Sequence, residues 1–253
     1  MLSNEVAATC ENDKPKSSHQ SVGVLKSVYD GDTLSLTDGR KIRLIGINTP
    51  EMARKLLPSE PLAQQATLFL QSLLTVGKPI QLRLGAQRKD RYGRILAHVF
   101  AGSGVNVTAQ LLEKGYGFQV LIAPNDCAAP CYLHAERVAR KKRLGVWADP
   151  YHAVRAADSA KLKEGFAVIS GEIEGVFLAK KTVWIDIKSN IVLRIPRDRW
   201  KSFHSIRQKL VAGQELEARG WLIDRTKNGK TLKKHYKPWM ITINHPGSLA
   251  LSF

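Results

Sequence analysis

Thr33-Leu-Ser-Leu-Thr-Asp-Gly-Arg-Lys-Ile-Arg-Leu44 decides the fold of the first half of this chain. Leu34 and Leu36 alternate with Thr33 and Ser35, the period of a half-buried strand. Asp38-Gly39 supplies a two-residue hairpin signal, because these residues enter positive φ at low cost. Ile42 and Leu44 then repeat the alternation, so Arg43 points away from the face that they share. Outward from this hairpin, Val22 to Ile47 reads as strands broken by turns. Ser59 is placed to cap a helix running through Ala63, Ala66, Leu70, Leu73 and Leu74 and ending before Gly77. Strands are expected over Pro79–Leu84 and Ile95–Phe100, separated by the Asp90–Arg94 loop. Helices are expected over Asn106–Lys114, with Gly115 at its end, and over about Tyr132–Arg143. That order suits a small β-barrel flanked by helices, closed by Asp149-Pro150.

The chain has 253 residues, 43% of them hydrophobic, enough for one large or two small cores. Its formal net charge is +17, and both halves are basic, so the excess is not one tail. Such a charge raises the local concentration of polyanions. No apolar run approaches the roughly 20 residues of a membrane-spanning helix. Cys10, Cys127 and Cys131 are odd in number, which excludes complete internal pairing. Cys127 and Cys131 are spaced for one helical turn, Cys10 is placed to staple the N-terminal arm to either, and three free thiols is the remaining reading. Met1 to Pro15 lacks the basic head and apolar stretch of a complete signal peptide. Glu5 to Cys10 nevertheless reads as the remnant of a cleavage region, so a secreted or periplasmic location is expected, with the cytoplasm as the alternative.

Residues 1–20 are polar and read as a disordered arm, 21–150 as the first domain, 151–164 as a polar, partly helical linker, and 165–247 as a second domain. In that second domain Phe166–Glu174, Thr182–Lys188 and Ile191–Pro196 read as strands. Arg197–Leu210 reads as an amphipathic helix with Trp200, Phe203, Ile206 and Leu210 on one side. Gln214–Asp224 and about Lys237–Asn244 are strands again, around the Lys227–Lys230 turn. Three strands, a helix and two strands is the order of a five-stranded OB-type barrel; another helix-capped β domain is the alternative. Trp184, Trp200, Trp221, Tyr236 and Trp239 lie among many lysines. Aromatics in a basic groove suit single-stranded nucleic acid, although Trp200 and Trp221 read as core. Lys227, Lys230, Lys233 and Lys234 form a cluster able to hold a polymer backbone without reading its sequence.

The chemistry concentrates in three segments, Asp30-Gly-Asp-Thr33, Arg43-Leu-Ile-Gly-Ile-Asn-Thr-Pro-Glu51 and Asp90-Arg-Tyr-Gly-Arg94. Arg43 and Arg94 are permanent cations able to grip a phosphate bidentately and stabilise charge developing on it. Asp32, Asn48 and Thr49 offer the oxygen donors that a hard cation such as calcium takes, with Asp30 read as a turn residue behind them. Glu51, held by Pro50, is a carboxylate suited to hold or deprotonate a water.

In this order the three segments resemble the active-site motifs of the staphylococcal nuclease (thermonuclease) family. The resemblance extends from Val24 to Trp147, including Lys89-Asp-Arg-Tyr-Gly-Arg-Ile-Leu-Ala97 and Ala135-Glu-Arg-Val-Ala-Arg-Lys-Lys-Arg-Leu-Gly-Val-Trp-Ala148. It implies a mainly β fold with α-helices: an OB-like five-stranded barrel with flanking helices, followed here by a second OB-type barrel. It further implies one Ca2+ held by side-chain oxygens at 32 and 48 and the carbonyl of Thr49, and it places Arg91 and Tyr92 near a substrate's terminal phosphate. Asn48 stands where the best-known members carry aspartate. This leaves Asp32 as the one anionic ligand and implies weaker calcium binding before substrate arrives.

The function expected is a metal-dependent, sequence-nonspecific endonuclease that hydrolyses DNA, RNA or both to 3′-phosphate products. Single-stranded or unpaired nucleic acid is its expected partner, and no obligate protein partner is evident. The alternatives are a non-catalytic binding module on the same fold and a C-terminal barrel that docks a protein.

Overall fold

The computed structural model describes residues 6, 10, 20–54, 57–229, 231–233 and 236–251. The arm expected over residues 1–20 therefore lies outside the described residues except at Val6, Cys10 and Gln20, and so do Lys230 and Lys234. The chain forms two compact units, Met1–Tyr151 and His152–Phe253.

In the first unit, β1 (Gln20–Asp30), β2 (Thr33–Leu36), β3 (Lys41–Leu44), β5 (Pro79–Lys89) and β6 (Ile95–Phe100) close a barrel in the order β1-β2-β3-β6-β5. The Asp38-Gly39 turn joins β2 to β3 as expected, with Gly39 at φ 86°. Alternation puts Leu34, Leu36, Ile42 and Leu44 in the core with Leu25, Leu82 and Val99, leaving Arg43 on the other face. β4 (Gly46–Asn48) leaves the barrel and pairs with β7 (Phe118–Val120). Its bend depends on Gly46 at φ 92°: a Cβ there would lie 2.1 Å from the Tyr132 ring.

Among the fully described segments, three helices pack on this barrel. α1 (Ala63–Leu73) buries Ala63, Ala66 and Leu70, but Ser59 does not cap it. Leu62 precedes the helix in a left-handed conformation with no side-chain cap, and the Ser59 hydroxyl instead accepts the Ala53 N–H at 2.9 Å. α2 (Val107–Glu113) is capped by the Asn106 side chain, which accepts the Ala109 N–H. α3 (Ala129–Lys141) starts earlier than expected because Pro130 fits the first turn, where no backbone donor is needed. His98 sits in the core with Nδ1 2.6 Å from the Tyr132 hydroxyl. Burial, aided by Arg83, lowers its pKa to about 3, so it is neutral. A disulfide joins Cys10 to Cys131 of α3, while Cys127 stays outside the disulfide with its Sγ 3.4 Å from His98 Nε2.

The second unit is built from β9 (Gly165–Leu178), β10 (Thr182–Ile187), β11 (Ile191–Pro196), β12 (Glu215–Asp224) and β13 (Trp239–Thr242). These pair in the order β9-β10-β11-β13-β12, and β12 returns to β9, closing a second five-stranded barrel. Two short strands extend the sheet. β8 (Arg155–Ala156), inside the stretch expected to be a linker, runs parallel to β9, and β14 (Leu249–Leu251) pairs with β12. The helix expected over Arg197–Leu210 does not form. That stretch folds as two 3-10 turns, Trp200–Phe203 and Arg207–Lys209. Asp198, Ser202, His204 and Ser205 are poor helix interiors. Tight turns suffice to bury Phe203 and Leu210. Trp200 packs on the core as expected, but Trp221 does not. It is 44% exposed and meets Phe166 edge-on, because alternation on β12 gives the interior to Leu222.

Disulfide reduction, or Cys10→Ser, is expected to lower the unfolding free energy by about 2–4 kcal/mol, since the crosslink closes a long loop. Denaturant titrations with and without reductant measure the difference.

Candidate nucleic-acid cleavage site

The site assembles where β2 begins, β3 ends and the chain leaves β4. Asp32 is buried, and its carboxylate is fully engaged. Oδ2 lies 2.9 Å from Arg43 Nη2 and accepts the Thr49 N–H and Thr49 hydroxyl, both at 3.2 Å. Oδ1 accepts the Thr33 hydroxyl at 3.1 Å. Arg43 is pinned from behind as well, with Nη1 donating to the carbonyls of Leu44 at 2.7 Å and Ile47 at 2.9 Å. Gly31 makes the approach of Thr49 possible, because a Cβ there would fall 2.7 Å from the Thr49 hydroxyl and 2.9 Å from the Ala66 methyl.

Arg94 joins the same cluster through the barrel. Its Nη1 donates to Thr33 Oγ1 at 3.3 Å, and its Nε to Asp90 at 2.7 Å. Asp90 also accepts the N–H groups of Tyr92 and Arg94, which makes it the organiser of the loop. Burial pushes its pKa up, but the Arg94 bond and these N–H donors outweigh that and hold it below the usual carboxylate value. Arg91 donates to the Tyr92 hydroxyl at 2.7 Å, and Tyr92 is 68% exposed. The loop and the β2–β3 turn line a basic groove of about 450 Å³ with Arg40, Lys41, Lys89 and Arg94 on its walls.

Glu51 stands at the exposed edge. Its backbone is held to Glu60 by an N–H bond to Oε2 and a return bond from Glu60 N, each 2.9 Å. Arg54, which sequence reasoning missed, lies 3.0 Å from Glu51 Oε2 and 3.5 Å from Asp30 Oδ2. The only signal for it was its i,i+3 spacing from Glu51. Thr33, the link between Arg94 and Asp32, was missed as well. Burial raises the Glu51 pKa, opposed by Arg54 and assisted by Asp32, Asp30 and Glu60. Burial also raises the Asp30 pKa, with the Asp32 charge next in weight. Asp30 accepts the Asp32 N–H at 3.2 Å, the turn role expected of it.

Among the described residues no group of three or more His, Cys, Asp or Glu gathers as a metal cluster. The oxygen-only donor set of Asp32, Asn48 and Thr49 nevertheless suits a hard cation. Asp32 and Thr49 are in direct contact, and the half-buried Asn48 precedes Thr49 with no side-chain hydrogen bond among the described residues. Of the lysines expected to bind substrate in the second unit, Lys227 is ion-paired with Glu164, which raises its pKa, and Lys233 is exposed.

Residues 41–149 match the family described as staphylococcal nuclease homologue. A thermonuclease from Staphylococcus intermedius is 33% identical over 127 residues, 49% of this chain and 74% of the relative. A thermonuclease from Staphylococcus hyicus is 32% identical over 125 residues, 48% of this chain and 73% of the relative. An uncharacterized endonuclease from Escherichia coli is 31% identical over 130 residues, 50% of this chain and 77% of the relative. These matches span about half of the present chain, and the second barrel lies beyond the residues that the family match covers. The first barrel, its motifs and these relatives together place the chain in the staphylococcal nuclease family, among relatives named as nucleases.

Proposed function

We propose that this protein is a calcium-dependent, sequence-nonspecific endonuclease that hydrolyses single-stranded or unpaired DNA, RNA or both, leaving 3′-phosphates. The observation that carries the reading is the linked set Arg94–Thr33–Asp32–Arg43 with Glu51 beside it: two phosphate-binding cations, an oxygen cage and a raised-pKa carboxylate in one place. Asp32, Asn48 and the Thr49 carbonyl would hold the calcium ion, which when bound would supply positive charge to the phosphate and acidity to a water. Glu51 removes a proton from the attacking water, a task favoured by a pKa lifted towards neutrality. Arg54 positions that carboxylate. Arg43 and Arg94 neutralise the charge that grows on the phosphate. Arg43 exchanges part of its hold on Asp32 for the substrate, while its two carbonyl bonds keep it aimed. Arg91 and Tyr92 contact a flanking phosphate, and the basic groove guides the strand.

The disulfide and the family resemblance support action outside the reducing cytoplasm. The second unit, including Lys227, Lys230, Lys233 and Lys234, serves as an accessory grip on the polymer, with Lys227 weakened in that role by Glu164.

Glu51→Gln is expected to lower the cleavage rate by about 10²–10⁴-fold while leaving oligonucleotide affinity in chelator unchanged. Equal cleavage by the variant and the parent, or calcium-independent cleavage, rejects the mechanism. No cleavage with any divalent ion favours the binding module. Activity requires the Glu51 carboxylate, so the rate falls as pH drops through its pKa. Arg54 favours that carboxylate, so Arg54→Gln moves the acid limb of the pH–rate profile to higher pH. Asn48→Asp adds a second anionic ligand and lowers the calcium concentration needed for half-maximal cleavage, as measured by calcium titration at fixed substrate.

A further inference from the structure

The outer face of the second barrel carries a pocket that the cleavage site does not use. Alternation on β10 sends Val183, Ile185 and Ile187 into the core and leaves Trp184 and Asp186 outside. Val192 of β11 lies opposite Asp186 on that outer face. Phe177 from the end of β9, and Arg225, Tyr236 and Lys237 from the β12–β13 connection, complete a cavity of about 330 Å³. In barrel order these are the second and third strands with the end of the first strand and the fourth–fifth connection, the face on which OB-type barrels take up linear polymers.

The side chains define what would fit. Phe177 is 56% exposed and Tyr236 53% exposed, so two aromatic rings face the cavity mouth beside Trp184. The Arg225 guanidinium lies 5.9 Å from the Trp184 ring centre and 5.4 Å from that of Tyr236. Its Nη1 donates to the Lys237 carbonyl at 3.0 Å. Lys237 donates to Glu174 at 2.6 Å and to the Ser189 carbonyl at 2.9 Å. The Asp186 side chain is half-buried, feels the charges of Lys237 and Arg225 and makes no side-chain hydrogen bond among the described residues, so an acceptor waits on the cavity wall. Arg225, already at both rings, and Lys237 on the wall disfavour an alkylammonium guest. Flat rings, an acceptor and an available guanidinium edge match a planar base with N–H donors and a phosphate attached.

We propose that this pocket binds one unpaired base of a single-stranded nucleic acid, stacked on Trp184 and flanked by Tyr236 and Phe177. Asp186 accepts from the base edge, and Arg225 holds the adjoining phosphate. The cavity lies at the small end of ligand sites, with room for a base that has left its stack. The proposal takes from the nuclease reading only that the polymer is nucleic acid, and it makes the second barrel a selector for unpaired substrate.

Anisotropy of a labelled single-stranded oligonucleotide and of its duplex, measured with the full chain in excess chelator, tests this without cleavage. Trp184→Ala is expected to weaken single-strand binding by on the order of tenfold and to leave duplex binding unchanged. Tyr236→Ala, on an exposed connection, should act in the same direction without disturbing the fold, and thermal melts of both variants monitor integrity. Cleavage of a small chromogenic phosphodiester in calcium should equal that of the parent. Unchanged single-strand affinity in Tyr236→Ala and in a folded Trp184→Ala overturns the proposal. So does an equal loss for single strand and duplex, or displacement of the oligonucleotide by a trimethyllysine peptide and not by a mononucleotide. Failure of the nuclease reading shows differently, as a parent that binds the oligonucleotide but cleaves neither substrate.

Discussion

A carboxylate removed from water must be matched by donors or it destabilises the fold. Asp32 meets that demand with Arg43, both donors of Thr49 and the Thr33 hydroxyl. These partners come from the start of β2, the end of β3 and the segment after β4, so satisfying one buried charge draws three chain segments together. Arg43 extends the constraint by satisfying two carbonyls where β3 gives way to β4. The residues that would grip a phosphate are therefore the same ones that close this end of the barrel, and their geometry is preorganised by folding rather than by substrate.

Around that centre the charges are layered. Arg94 is fixed by Asp90 on one side and reaches Thr33 on the other, while Arg54 spans Asp30 and Glu51. Burial, with the Asp32 charge adding to it, raises the proton affinity of Asp30 and Glu51; Arg43 relieves part of it at Asp30 and Arg54 part of it at Glu51. Asn48, next to Thr49, adds an amide oxygen to this set without adding a negative charge.

The second barrel repeats the strand order but presents another chemistry. Its outer face offers aromatic rings and a guanidinium around a carboxylate with no side-chain hydrogen bond among the described residues, where the first barrel offers pinned arginines around a satisfied one. The same topology thus carries an arginine–carboxylate cluster in one unit and an aromatic-lined cavity in the other, because the outward-facing positions differ.

The hairpin through Asp38-Gly39, the Asn106-capped helix, both sets of barrel strands and the residue types of the candidate site were legible in the sequence. Period-two alternation, turn residues and caps act over a few residues, and their physics is local. What was misread depended on competition between local options: Ser59 serves Ala53 instead of a helix, and Arg197–Leu210 settles as tight turns once Phe203 and Leu210 reach the core. Composition did not distinguish Trp184 at a cavity from Trp221 on an open face. Nor did it choose Cys10–Cys131 among the pairings that spacing allowed. Local sequence specified most of the elements and the inventory of oxygens and cations. Tertiary structure alone decided which oxygen meets which cation, because contacts such as Arg94 with Thr33, 61 residues apart, form only when barrel closure brings distant strands side by side.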